Sequence, residues 1–230
     1  MTDVRDRLAI ALDVPDLDAA ERLVKEVGPW IGIAKVGLEL FSAAGPDAIS
    51  RMRALDMQVF ADLKLHDIPT TVGRAARVLG TLGASYVNFH AAGGVDMLRA
   101  AVEGLREGAQ AAGHGSPLPI AVTVLTSDAD ASAFDARLGA AIESGCRGVV
   151  CSLREVERVH AARADYITIV PGSRFADSAR NDQARFGTPA DAARAGADVL
   201  VLGRAVTAAA EPRAAAKRAH DDVADAMTRT

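Results

Sequence analysis

Asp62, Lys64 and Asp67 place three charges of alternating sign at the end of a stretch, Met57 to Leu63, that is otherwise apolar and β-prone. Side chains alternate across a strand, so Phe60, Asp62 and Lys64 share one face. Burying such charges is costly unless they pair. Lys35 offers a partner, because it lies late in a second apolar or small-residue run, Ile31 to Leu38. Neighbouring strands are about 4.8 Å apart, so Lys35 and Asp62 reach pairing distance if their faces match. The result is an alternating row of Lys35, Asp62 and Lys64, with Asp67 beyond. Each charge stabilises its neighbours and keeps the lysine an ammonium, and an ammonium held rigidly at a reaction centre is a general acid. The competing reading is structural: a solvated strand end, with Lys35 in an interior salt bridge.

A second set comprises Arg174, Gln183, Gly203 and Arg204. A glycine that lets the backbone approach a ligand, N–H groups at a helix start and fixed arginine forks together suit a phosphate. The competing reading is a pair of helix-capping surface arginines. His90 reads as a hydrogen-bonded rim residue, with catalysis or metal ligation as the alternative. His66 reads as scaffold, and His114, His160 and His220 as surface residues. No His/Asp/Glu set has metal-ligand spacing, and no Gly-x-Ser-x-Gly elbow occurs.

The elements that must position these groups alternate. Strands are expected at Leu8–Asp13, Ile31–Leu38, Gln58–Lys64, Ser85–His90, Pro119–Leu125, Gly148–Cys151, Tyr166–Val170 and Asp198–Leu202. Helices are expected between them: Leu17–Val27 capped by Asp16, Gly45 to about Leu55, Pro69–Leu82, Val95–Ala112, Ala131–Ser144, Leu153–Ala161 and Thr188–Gly196. A last helix runs from about Val206 towards the C-terminus, with an interruption at Pro212. Eight βα units imply a parallel sheet with right-handed crossovers, and about 230 residues suit a closed α/β (β/α)8 TIM barrel spanning 1–230 as one domain. The rival, an open doubly wound sheet, lacks a Gly-x-Gly-x-x-Gly after strand one. In a barrel the site lies at the C-terminal strand ends. Asp13, Lys35, Asp62, Lys64, His90, Thr126, Arg174 and Arg204 all fall there by this assignment.

Half of the residues are hydrophobic and 24% are charged, the profile of a globular protein. A net charge of −4 provides no overall basic field for nucleic acid. Cys146 and Cys151 are too few for a disulfide framework or a four-ligand zinc site, and read as small buried apolar residues. The N-terminus has charges rather than an apolar signal core, and no run approaches a membrane span, so a cytoplasmic protein is expected.

Asp62-Leu-Lys-Leu-His-Asp-Ile-Pro-Thr-Thr71 resembles the signature of the orotidine 5′-phosphate decarboxylase family. The resemblance extends through Leu12-Asp13, Ala34-Lys-Val-Gly37, His90-Ala-Ala-Gly-Gly94, Val122-Thr-Val-Leu-Thr-Ser127, Pro171-Gly-Ser-Arg174, Asp182-Gln183, Thr188-Pro189 and Leu202-Gly-Arg204. Ser173 stands where the family often has isoleucine, which removes no charged contact. The resemblance implies a barrel that dimerises, with its sites at the dimer interface. It implies conversion of orotidine 5′-monophosphate to uridine 5′-monophosphate (UMP) and carbon dioxide, without metal or organic cofactor. By the same resemblance Lys64 donates a proton to pyrimidine C6 and Asp62 lies beside the departing carboxylate. Asp67, Ile68 and Thr71 serve the neighbouring subunit's site. Asp13 and Lys35 hold the ribose hydroxyls, Thr126 and Ser127 lie near the pyrimidine, and Arg174, Gln183, Gly203 and Arg204 hold the phosphate. The long polar loop Pro171–Gly187 reads as a lid. Two rivals share parts of the pattern. One is a magnesium-dependent sugar-phosphate decarboxylase or aldolase with the Asp-x-Lys-x-x-Asp core, and the other is a non-catalytic nucleotide-binding barrel.

Overall fold

The computed structural model describes residues 3–125, 131–172, 174–175 and 187–228. Eight parallel strands close into a barrel in chain order: β1 (Leu8–Ala11), β2 (Ile33–Val36), β3 (Gln58–Leu65), β4 (Tyr86–His90), β5 (Leu118–Val122), β6 (Gly148–Val150), β7 (Ile167–Pro171) and β8 (Val199–Leu202). Leu8 pairs with Leu200 to complete the ring. The strands are short and buried on both faces, as their near-continuous apolar composition requires. One apolar layer fills the barrel interior, with Ala9, Ile33, Phe60, Tyr86, Ile120, Ile169 and Val199. A larger layer lies between the strands and the surrounding helices, and its fully buried Leu, Ile and Phe side chains each stabilise by roughly 1.5–3 kcal/mol.

The helices that follow the strands are α1 (Leu17–Val27), α2 (Leu38–Ala44), α3 (Asp47–Ala54), α4 (Pro69–Thr81), α5 (Gly94–Ala111), α6 (Phe134–Glu143), α7 (Val156–Ala162), α8 (Pro189–Arg194), α9 (Arg204–Thr207) and α10 (Pro212–Thr228). Local chemistry starts several of them. The Asp16 carboxylate accepts the Ala19 N–H, Thr188 and Asp191 form a capping box, and Pro69 occupies the first turn of α4. The expected interruption at Pro212 separates α9 from α10.

Several boundaries differ from the sequence reading; β1 stops at Ala11 rather than Asp13, and β2 spans Ile33–Val36 rather than Ile31–Leu38. The segment Leu38–Ala44, whose first residue was expected to end strand two and whose remainder was assigned no element, forms α2, which Gly45 ends in a left-handed conformation (φ 58°). This helix is seven residues long and buries only Leu40, so it carries too little periodicity to be seen. Strand β5 stops at Val122 rather than Leu125, and α6 starts at Phe134 rather than Ala131. Both ends flank residues 126–130.

The third strand does more than alternate. Ala61 pairs with Val87 and Leu65 with Phe89, so four residues of β3 advance against two of β4. The excess forms a bulge, and Lys64 within it has φ 49°, a left-handed conformation uncommon for a residue with a Cβ. Helices α4 and α5 pack backbone to backbone beside this strand. A Cβ on Gly104 would run into the Gly73 carbonyl, and one on Gly108 into the Arg77 carbonyl. Only glycine permits that approach.

Candidate active site

At the C-terminal mouth of the barrel the three central charges meet. The Lys35 ammonium, on β2, lies 3.2 Å from Asp62 Oδ2 and 3.3 Å from Asp13 Oδ1. Lys64 Nζ lies 2.6 Å from Asp62 Oδ1. The faces of Lys35 and Asp62 therefore match, as pairing across adjacent strands requires. Gly37 makes room for this arrangement, since a Cβ there would lie 3.0 Å from Asp13 Oδ1 and 3.1 Å from Lys35 Nζ.

Lys35 is buried and Asp62 nearly so, whereas the Lys64 side chain remains about one-third exposed and faces the mouth. Burial by itself raises the Asp62 pKa. The charges of Lys35 and Lys64, with hydrogen bonds from Lys64 and Asn88, outweigh it and hold the carboxyl below its ordinary value. The site thus holds a fixed carboxylate between two amines, with one amine pointing to the opening. Such a preorganised charge array stabilises negative charge that develops nearby, at no reorganisation cost.

The row stops at Lys64 within the chain. Asp67 is exposed, and its Oδ1 accepts the Ile68 N–H at 2.7 Å. Ile68, two-thirds exposed, and Thr71 stand beside it at the outward-facing start of α4.

A cavity of about 730 Å³ opens above the row. Asp13, Lys35, Asp62 and Lys64 line it together with Gly172, Arg174, Gly203 and Arg204. The two sets of residues singled out in the sequence thus share one chamber. A Cβ on Gly203 would meet open space, so the backbone there is accessible to a ligand. The Arg174 N–H donates to the Gly187 carbonyl at 3.3 Å, which holds the two described ends of the expected lid together. A smaller apolar recess of about 170 Å³ adjoins Asp62 and Lys64, lined by Val122, Val124, Leu125 and Ile169. Thr126, Ser127 and Gln183 lie outside the described residues, as does most of the expected lid.

His90 is a rim residue, as its position suggested. Its Nδ1 accepts the Ala92 N–H at 3.2 Å, and its ring stacks on His66 with centroids 5.4 Å apart. Burial, then the charges of Arg137, His66 and Lys64, lower its pKa. Cys146 and Cys151 are buried; burial pushes the Cys146 thiol up to about 11 and Cys151 higher still, which leaves both inert. Among the described residues no three His, Cys, Asp or Glu side chains group as metal ligands, and no helix is long and apolar enough to cross a membrane.

Sequence reasoning missed Asn88. This residue is completely buried in β4 and touches both Asp62 and the Lys64 backbone. The available signal was an uncharged polar residue on the alternation shared by Tyr86 and His90, in a strand otherwise apolar.

The fold and the site define a (β/α)8-barrel with a buried amine–carboxylate–amine row beside an arginine-lined chamber. Residues 6–219 match the family described as Orotidine 5′-phosphate decarboxylase / HUMPS, and the chain belongs to that family. The chain is 46% identical over 228 residues to the orotidine 5′-phosphate decarboxylase of Moorella thermoacetica, covering 93% of this chain and 90% of that relative. It is 46% identical over 226 residues to the one from Anaeromyxobacter dehalogenans, covering 92% and 96% respectively. The crystal structure of orotidine 5′-phosphate decarboxylase from Lactobacillus acidophilus superposes with a TM-score of 0.83 at 34% identity, covering 95% of this chain and 99% of that one.

Proposed function

We infer that this protein decarboxylates orotidine 5′-monophosphate to UMP and carbon dioxide, in pyrimidine biosynthesis. The observation that carries the reading is the Lys35–Asp62–Lys64 row lining the same chamber as Arg174, Gly203 and Arg204. Loss of carbon dioxide from C6 leaves a carbanion with no adjacent carbonyl to accept its charge as a simple enolate. Stabilisation must come from fixed charge, and Lys64 supplies it before delivering the proton to C6. Asp62 orients Lys64 and lies beside the departing carboxylate. Asp13 and Lys35 take the ribose hydroxyls, and Thr126 and Ser127 the pyrimidine. Arg174, Gln183, Gly203 and Arg204 take the phosphate, whose remote binding energy orients the ring.

The chain acts as a single cytoplasmic barrel domain without metal or organic cofactor. It works as a homodimer in which Asp67, Ile68 and Thr71 complete the partner's site. The exposed position of these three residues, around the start of one helix and with Asp67 bonded to the Ile68 N–H, supports that arrangement. The family description also covers a second group of enzymes, so a magnesium-dependent sugar-phosphate reaction is the alternative.

The test is the near-ultraviolet absorbance of orotidine 5′-monophosphate with purified protein in EDTA. Decay of the band, abolished in a folded Lys64→Ala variant, is the expected result. Near-normal kcat in that variant removes Lys64 as the acid. Activity that appears only with magnesium and a sugar phosphate transfers the reading to the alternative.

A further inference from the structure

Asn88 makes two bonds that join separate parts of the charge row. Its Nδ2 donates to Asp62 Oδ1 at 2.6 Å, and its Oδ1 accepts the Lys64 backbone N–H at 2.7 Å. The amide orientation is fixed by chemistry, because a carboxylate only accepts and a backbone N–H only donates. The residue has no solvent exposure, and the barrel layer below it is apolar. A buried amide in such a place is costly unless its partners are correctly placed. Here one partner is the carboxylate that orients the Lys64 ammonium, and the other is the backbone of Lys64 itself, at the left-handed residue of the bulge.

We propose that Asn88 is a positioning residue for the decarboxylation: it locks Asp62 and the Lys64 backbone in one geometry and so aims the ammonium at the reacting carbon. This rests on the function inferred above and extends it to a side chain that cannot reach the substrate chamber. Both anchors of Lys64 Nζ, its own backbone N–H and its carboxylate partner, are tied to this single side chain. A displacement on the order of 1 Å at such a centre costs about 10²-fold in rate.

Replacement by aspartate gives a test that a merely structural role would not satisfy. Asp is isosteric with Asn. Ionised, it places a second carboxylate against Asp62, and two such carboxylates do not both ionise readily. Protonated, its O–H donates to Asp62 as the Asn88 N–H does. The variant therefore works in its singly protonated form and fails when the second proton leaves. The groups facing this pair are Lys35 from β2 with Asp13 behind it, Lys64 from β3, and Tyr86 and His90 on β4, with His66 and Arg137 beyond His90. These groups are the same in both proteins, so the ratio of variant to wild-type rates reports the added carboxyl together with its interactions with them.

The experiment measures kcat and KM for orotidine 5′-monophosphate, and the affinity for UMP, across pH 5 to 9 in wild type, Asn88→Asp and Asn88→Ala. In Asn88→Asp, kcat relative to wild type should fall progressively as pH rises and recover at the acid end. In Asn88→Ala, kcat should fall about 10²-fold at every pH, with UMP affinity unchanged within a few-fold. A folded Asn88→Asp whose rate ratio is near one and flat with pH overturns the proposal, even if Asn88→Ala does not fold. Absence of turnover in the wild type instead strikes the inferred function, and with it any positioning role.

Discussion

Asp62 and His90 at the mouth are each held by specific neighbours. Asp62 receives Lys64 Nζ and Asn88 Nδ2 on one oxygen and Lys35 on the other, so its charge is compensated from three strands. His90 shows the opposite balance. Burial and three positive or titratable neighbours favour its neutral ring, and its Nδ1 lone pair is used by the Ala92 N–H. Its folded pKa lies below the ordinary 6.5, so the unfolded chain binds more protons between those two values. The stability contributed by neutral His90 is complete above about pH 6.5 and is lost as pH falls towards the folded value. The melting temperature of the wild type should therefore drop between pH 7.5 and pH 5.5. His90→Gln should drop less over the same interval; equal slopes in the two proteins count against the assignment.

The element that follows the exposed Asp67 and Ile68 is α4, and it packs against α5. The contact between them runs through glycines rather than interlocking side chains, so the helix axes approach more closely than side-chain packing allows. Gly108 faces the Arg77 carbonyl, a backbone atom with no rotamer by which to move aside. Gly108→Val should therefore destabilise by about 1–3 kcal/mol, the range for overpacking, as read by urea denaturation. Gly113→Ala serves as a control: it ends the same region at φ 69° in open space and carries only backbone strain. A Gly108→Val protein as stable as wild type would show that the helices separate without cost.

At the scale of the whole molecule, the charge row within one chain runs from Lys35 through Asp62 to Lys64. Lys64 lines the chamber, while Asp67, Ile68 and Thr71 are exposed. If a second copy brings its Asp67 to this Lys64, two inactive variants should repair each other. In a mixed dimer of Lys64→Ala and Asp67→Ala, one site loses both residues and the other keeps both. Statistical remixing then restores about a quarter of wild-type activity, because half of the dimers are mixed and each has one intact site. Remixed variants that stay as inactive as the separate ones would place Asp67 outside the partner's site. Ile68→Asp should weaken association in sedimentation without unfolding the barrel, since its side chain is two-thirds exposed in the single chain.

Most of the barrel was legible in the chain. Its βα alternation is a local pattern, repeated eight times and punctuated by Gly, Pro and capping residues whose effects act within a turn or two. The Asp62–Lys64 pair was legible for the same reason, since two residues two apart on a regular strand share a face, and the pair forms even though the strand bulges between Ala61 and Leu65. Lys35 and Asp62 required only the further assumption that consecutive strands pair. The β3 bulge, the left-handed Lys64 and the two bonds of Asn88 were not legible, because they depend on the register of β3 against β4. Nor was the close approach of α4 and α5, because a glycine's sequence neighbours say nothing about which carbonyl will lie opposite it. The sequence by itself determined which elements form and which charges stand at their ends, because periodicity and capping are properties of neighbours along the chain. Only the tertiary structure decided how those charges are aimed, because aim is set by atoms distant in sequence that meet when the barrel closes.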